Sequence, residues 1–311
     1  MHKIPLTLDD MDLSTGKKAR LYRLLYTHGP GNGRMVVLPI DQGLEHGPRD
    51  FFDNPQSVDP EYQLRIALDG GYSAIAFQIG LAEKYINKVA GKVPLILKIN
   101  GKTEVPPDDD AFSPLTSSVA DAVRLGADAI GYTCYVGSAS QDRDFLQFSR
   151  VREEAQRCGM PVIMWAYPRG KYIEEKSGKE SLYAVDYAAR VACELGADVV
   201  KVNIPKFNAE KAAKSPKPYN TLNLNIEEGV RKVVQSAGKT LVLISGGSKI
   251  PDAELLEQVG AVMRAGVTGL IFGRNIWQRK FEDAMSITKK IREVFAAETG
   301  AKKSGYTAAL V

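Results

Sequence analysis

The chain has 311 residues, 44% hydrophobic and 25% charged, a globular composition long enough to bury a core without disulfide or metal staples. Its 41 lysines and arginines against 37 aspartates and glutamates leave a net charge of +4, a mild excess that suits anionic small substrates and is too small to mark a nucleic-acid binder. No run approaches the length of a membrane span, and the opening stretch MHKIPLTLDDMDLSTGKKARLYRLL lacks an apolar centre, so neither a span nor a secretory leader is expected and the cytoplasm is the expected location.

Residues 1–34 read as an N-terminal extension. The first strand signal follows as MVVLPI (35–40), then AIAFQI (74–79), PLILKI (94–99), DAIGYT (128–133), PVIMWAY (161–167), DVVKVN (198–203), TLVLIS (240–245) and VTGLIFG (267–273). Unbroken apolar runs of this kind suit parallel strands covered on both faces. Helical patterns lie between them: SVADAVRLGAD, SLYAVDYAARVACELG (181–196, stopped by Gly196) and DAELLEQVGAVMRAGV each run helix, glycine, strand. The tripeptide GAD precedes two strands, at 126–128 and 196–198. Eight strand–helix units in about 260 residues predict a single-domain α/β fold, the (β/α)8 TIM barrel. A doubly wound open sheet is the alternative, but no GxGxxG follows the first strand. The connection Pro205 to Asn225, rich in Lys, Pro and Asn, is a long loop after the sixth strand, where barrels place active-site loops. Residues 299–311 read as a tail. Cys134, Cys158 and Cys193 are widely spaced, form no CxxC and lie in or beside apolar runs, so buried thiols in a reducing compartment are expected.

A barrel carries its chemistry at the C-terminal ends of its strands. The first strand ends in Asp41, within PIDQGLEHGP. The third contains Lys98 and ends in Asn100. The fifth ends in WAYPRG, with Trp165 and Tyr167. The sixth carries Lys201, the seventh ends in Ser245-Gly246-Gly247 and the eighth in Gly273-Arg274. Alternation sets Trp165 and Tyr167 on one strand face, and Lys201 on a face with Val199 and Asn203. Taken alone, each has a plain reading. A strand lysine usually packs its stem and pairs its head, Trp165 and Tyr167 are commonly core, and Asp41 suits a loop cap. Together, at the ends of three strands, they make a different site. A lysine in an apolar setting loses its proton easily and attacks a ketone, forming an iminium that serves as an electron sink for C–C cleavage. Tyr167 then moves protons, and Asp41 acts as base or steadies the protonated amine. Lys98 is either the nucleophile itself or an auxiliary charge beside Lys201, while Lys206, after Pro205, belongs to a solvated loop.

The stretches SGGSK and FGRN place small residues after the seventh and eighth strands, where barrels bind phosphate on backbone N–H groups, and Arg274 adds a fork for it. His46 either binds substrate or caps its loop; His2 and His28 have no evident partner. With three histidines and neither HxH nor HExxH, no metal site is expected.

The stretches LPIDQGLEHGP, LKINGKT, WAYPRG, GADVVKVN, SGGSK and GRNIWQR stand in this order at the expected strand ends. In them, from about residue 35 to residue 290, the chain resembles the archaeal-type class I fructose-bisphosphate aldolases, the DhnA-like group that includes bacterial members. The resemblance implies a (β/α)8 barrel that cleaves fructose 1,6-bisphosphate reversibly to dihydroxyacetone phosphate and glyceraldehyde 3-phosphate, in glycolysis or gluconeogenesis. It implies Lys201 as the Schiff-base lysine, Tyr167 as principal proton donor and acceptor, and Asp41 and Trp165 as their partners. Ser245, Gly246, Gly247, Gly273 and Arg274 would hold a substrate phosphate. It further implies a phosphorylated sugar as partner, no cofactor beyond the covalent lysine iminium, no metal, and a large homo-oligomer. Three departures stand out: Gln42 where many members have histidine, Ser248 where many have proline, and the long 205–225 insert of the bacterial branch. Two rival readings remain. One is a Schiff-base enzyme of the same fold acting on another sugar phosphate, such as an aminodideoxyheptulosonate synthase or an enzyme of a phosphorylated autoinducer. The other is a silent phosphosugar-binding barrel, against which the joint presence of Lys201, Tyr167 and Asp41 argues.

Overall fold

Eight parallel strands close on themselves in sequence order: β1 Met35–Pro39, β2 Ala74–Gln78, β3 Leu95–Lys98, β4 Ala129–Val136, β5 Val162–Pro168, β6 Val199–Val202, β7 Leu241–Ser245 and β8 Gly269–Ile271. The structure, a computed structural model, describes residues 5–298. The ring closes where Val36 of β1 registers with Leu270 of β8. Alternation divides the strand residues into two separate apolar clusters. Val36, Leu38, Ile75, Phe77, Leu97, Met164, Val200 and Ile244 meet the surrounding helices. Val37, Ala76, Ile96, Ala129, Ile163, Val199, Leu243 and Ile271 fill the interior. The unbroken apolar runs of the sequence follow from this double burial.

All eight expected strands are present, with shifted ends. β8 is shorter than its apolar run. β4 is longer than expected, reaching Val136 rather than 133, because it stays paired with β5 as far as Val136↔Pro168. That extension sets Tyr135 opposite Tyr167. The helix expected over 181–196 spans Leu182–Leu195, its first turn capped where the Ala184 amide donates to Ser181 Oγ at 3.2 Å. The helices Val119–Arg124 and Asp252–Arg264 occupy the other two patterned stretches.

The residues before β1 are structural. Helix Thr15–Tyr22 runs into a π-helical turn, Arg23–Thr27. Leu8, Met11, Leu21, Leu24 and Leu25 join the interior cluster and stop the end of the barrel where the strands begin. Two ion pairs fasten this plug. Lys17 Nζ donates to Asp198, just before β6, at 2.8 and 3.0 Å, and Arg23 pairs with Asp128, just before β4. Asp198 also accepts the Val162 amide at 2.8 Å, so the buried pair is hydrogen-bonded on several sides.

Two expectations need correction. Cys134 is buried, but Cys193 is partly exposed and Cys158 is exposed, because Cys158 follows the last turn of helix Gln141–Arg157 rather than facing a strand. The 205–225 segment is partly ordered into helix Ala209–Lys214 and a 3-10 turn, Tyr219–Thr221. It is tied down by Tyr219 Oη donating to Asp186 at 2.5 Å and by the ion pair of Lys206 with Glu180 at 2.9 Å. His2 and the 299–311 stretch lie outside the described residues.

Candidate active site

Lys201 stands on β6 facing the interior, between Trp165 of β5 and Leu243 of β7 in the strand register, and is 4% exposed. Its Nζ lies 4.9 Å from the centre of the Trp165 ring and 5.4 Å from that of Tyr167. Among the described residues it makes no hydrogen bond and no ion pair. Burial drives its pKa down to about 8, against the upward pull of Asp41 and Glu45 and with help from the Arg274 charge. Lys98, at the end of β3, shares the burial and the pKa of about 8. Its ammonium, unlike that of Lys201, is tied: it donates to the Asn100 carbonyl at 2.6 Å and to Asn100 Oδ1 at 3.0 Å. Asn100 is itself held by the Thr133 amide at 2.7 Å.

The indole between the two lysines is fixed from behind. Gly131 on β4 registers with Lys98, and a Cβ there would sit 2.7 Å from Trp165 Cζ3 and 3.0 Å from Lys98 Cδ. Only a glycine lets ring and lysine stem pack against that strand. The Trp165 N–H is buried and has no hydrogen-bond partner among the described residues.

Asp41 is buried after β1, at the head of the short helix Gln42–Glu45, and its carboxylate caps no helix amide. It opens instead into a narrow cleft at the strand C-termini, lined also by Glu45, Gln78, Lys98, Lys102 and Tyr135. Tyr167 is half-buried at the same mouth, and burial together with the nearby Glu45 and Asp41 charges raises its pKa, keeping the phenol protonated. The Arg169 guanidinium lies 5.3 Å from the centre of its ring. Asp108 bridges Arg169, at 3.2 Å, to Lys102, at 2.9 Å, so two cations border this side of the mouth.

The opposite side is built from the loops after β7 and β8. Ser245 Oγ hydrogen-bonds Asn203 Oδ1. Gly247 adopts a left-handed φ of +61° with nothing near its missing side chain. Asn275 is fully buried and stitches the two loops: its amide donates to the Gly246 carbonyl at 2.9 Å and the Ser248 carbonyl at 3.0 Å, and accepts from the Ile250 amide at 3.0 Å. Gly273 is pressed by the β1 loop, since a Cβ there would meet Gln42 Nε2 at 2.6 Å. Arg274 follows it. The His46 backbone closes helix Gln42–Glu45, but its side chain caps no helix amide and does not line the cleft; its Nδ1 hydrogen-bonds Asp50 at 2.6 Å.

The structure thus gathers Asp41, Lys98, Trp165, Tyr167 and Lys201 around one mouth, with Ser245, Gly246, Gly247, Gly273 and Arg274 on its rim. His46 stands off. Sequence reasoning missed Glu45, Lys102, Tyr135, Arg169, Asp50 and Asn275. Glu45, Lys102, Arg169 and Asn275 lie inside motifs already quoted, and Tyr135 was lost by ending β4 too early. Asp50 carries no local signal: it matters only because its loop folds back over the mouth. Among the described residues no three histidines, cysteines or carboxylates converge to hold a metal ion, and no helix is long and apolar enough to cross a membrane.

Residues 35–279 match the family model described as DeoC/LacD family aldolase. A Thermoproteus tenax protein named fructose-bisphosphate aldolase class 1 is 41% identical over 263 residues, spanning 84% of this chain and 89% of its own. A Methanocaldococcus jannaschii protein named fructose-bisphosphate aldolase/6-deoxy-5-ketofructose 1-phosphate synthase is 31% identical over 299 residues, spanning 93% and 88%. A solved archaeal fructose-1,6-bisphosphate aldolase, with its catalytic lysine covalently bound to the carbinolamine intermediate of the substrate, superposes with a TM-score of 0.75 at 37% identity, covering 88% of this chain and 99% of that one. On the family match and the extent of these identities, the chain belongs to the DeoC/LacD family of aldolases.

Proposed function

We propose that this protein is a class I fructose-bisphosphate aldolase with Lys201 as its Schiff-base lysine. The observation that carries the reading is the contrast between two equally buried lysines: Lys98 is hydrogen-bonded twice, whereas Lys201 offers an untied amine over two aromatic faces. An untied, desolvated amine keeps its lone pair available for attack. The names of the relatives supply the substrate class.

In this reading Lys201 Nζ adds to the C2 carbonyl of the open-chain sugar. Tyr167, a phenol at rest, gives its proton to the carbinolamine oxygen, which leaves as water and yields the iminium. The resulting phenolate takes the C4 hydroxyl proton as the C3–C4 electrons flow to nitrogen. Glyceraldehyde 3-phosphate departs, and Tyr167 returns the proton to C3 of the enamine. Water then hydrolyses the iminium to dihydroxyacetone phosphate and the free amine. Asp41 and Glu45 steady the ammonium and iminium charges, Trp165 walls the iminium, and Lys98 holds the barrel interior positive. One phosphate lies on Ser245, Gly246, Gly247, Gly273 and Arg274. The other meets Lys102 and Arg169 across the mouth, where their shared Asp108 is displaced as counter-ion. The reaction needs no cofactor or metal, fits a cytoplasmic enzyme of glycolysis or gluconeogenesis, and suits the homo-oligomer expected of its relatives.

The deciding experiment is borohydride trapping with dihydroxyacetone phosphate in EDTA, followed by peptide mass spectrometry, beside a coupled assay of fructose 1,6-bisphosphate cleavage. A reduced adduct on Lys201 is expected. An adduct on Lys98 would move the nucleophile, and binding without an adduct would make the protein a silent phosphosugar-binding barrel. The M. jannaschii relative's double name favours one second reading, the same amine acting on another sugar phosphate. Turnover of that substrate in preference to fructose 1,6-bisphosphate would establish it.

A further inference from the structure

We propose that Asp50 is a positioning residue for Arg274, aiming the guanidinium at the substrate phosphate, with His46 holding Asp50 in place. The inference rests on the reading of Arg274 as a phosphate ligand. Asp50 is 9% exposed, at the far end of the β1 loop from Asp41. A single oxygen, Oδ2, takes both contacts: His46 Nδ1 at 2.6 Å and Arg274 Nε at 4.0 Å. Meeting the guanidinium at Nε leaves the two terminal nitrogens as a free fork, the arrangement that a phosphate takes in bidentate fashion.

The backbone around this contact is also joined. The Asp50 carbonyl accepts from Gln278 Nε2 at 2.7 Å, so the residue is fastened to the chain on the far side of Arg274 as well. Asn54 donates to the Trp277 carbonyl at 3.1 Å and to the Arg279 carbonyl at 2.6 Å, and the Trp277 indole N–H donates to the Pro39 carbonyl at 3.2 Å. The β1 loop, with Asp41 at one end and Asp50 at the other, therefore moves as one piece with the turn Arg274–Trp277. A group that adjusts the distance between amine and phosphate grip belongs on such a junction, because binding energy from a remote phosphate drives chemistry only if the two ends hold a fixed spacing. His46 gains a role here that does not require it to touch the sugar.

The test compares borohydride inactivation of the full-length protein by dihydroxyacetone phosphate and by unphosphorylated dihydroxyacetone, in wild type, Asp50→Asn, Arg274→Gln and the double variant. Asn keeps the shape of Asp50 and removes the charge. Asp50→Asn is expected to raise the half-saturating dihydroxyacetone phosphate concentration about tenfold, as when a partly buried guanidinium loses the carboxylate charge that orients it. Inactivation by dihydroxyacetone should not change, which also shows that the barrel remains folded with Lys201 reactive. The double variant should be no worse than Arg274→Gln alone, because Asp50 acts through that side chain. If Arg274→Gln weakens the phosphorylated probe and Asp50→Asn does not, or if the two effects add in full, the positioning role is wrong and the phosphate reading stands. If Arg274→Gln leaves the phosphorylated probe unaffected, the phosphate reading fails and takes this inference with it.

Discussion

The pH dependence of imine formation gives the sharpest check on the Lys201 reading. Its ammonium titrates at about 8 instead of the ordinary lysine value of 10.5. At pH 7, about one amine in eleven is then neutral, against roughly three in ten thousand for an unperturbed lysine, an advantage of about 300-fold in competent nucleophile. The cause is burial, partly opposed by Asp41 and Glu45. Two results follow. The rate of imine trapping, followed with cyanoborohydride at fixed dihydroxyacetone phosphate, should rise tenfold per pH unit on the acid side and level off near pH 8. Asp41→Asn removes a negative charge that favours the ammonium, so its midpoint should fall below that of wild type, even if its plateau is lower. A rate that keeps climbing past pH 10, or an Asp41→Asn midpoint displaced upward, would refute the account of a desolvated amine governed by the carboxylates at the mouth.

Stability should carry the same signature. A lysine whose folded-state pKa is depressed leaves the folded chain with fewer bound protons than the unfolded chain between about pH 8 and 10.5, so stability rises with pH across that window. Below it, both states are protonated and the full penalty applies. Lys201→Met should therefore be more stable than wild type at pH 7, by about 1–3 kcal/mol, with the gain fading above pH 8 in denaturant titrations at several pH values. Gly131→Ala should destabilise by about 1–3 kcal/mol and slow imine trapping, because the new methyl displaces the Trp165 ring; thermal unfolding and tryptophan fluorescence would register both. Asp198→Ala strands the Lys17 ammonium inside the plug and should cost about 3–5 kcal/mol by urea unfolding, while the trapping midpoint stays near 8 in the folded protein. Replacing Lys17 and Asp198 together by Met and Leu should recover most of that loss.

Much of this molecule is legible in one dimension. Parallel strands buried on both faces leave unbroken apolar runs, and strand alternation is strictly local, so the eight strands and the shared faces of Trp165 with Tyr167 and of Lys201 with Asn203 follow from order and period alone, whereas which face turns inward does not. Closure of the ring then assigns every strand end to one mouth, which is why residues as distant as Asp41 and Arg274 could be placed together before any coordinates. The sequence is silent where the outcome depends on chain segments meeting from far apart. Two lysines at strand ends look alike as letters; Asn100, reaching across to Thr133, ties one and leaves the other free. His46 was open to two roles, and the letters do not announce the hydrogen bond to Asp50 that the fold gives its ring. Residues 5–27 read as an extension, yet their leucines close the barrel floor. Apolar patterning and alternation are properties of neighbouring residues, whereas burial, charge balance and hydrogen-bond partnership are properties of a neighbourhood in space, and only the folded chain supplies that neighbourhood.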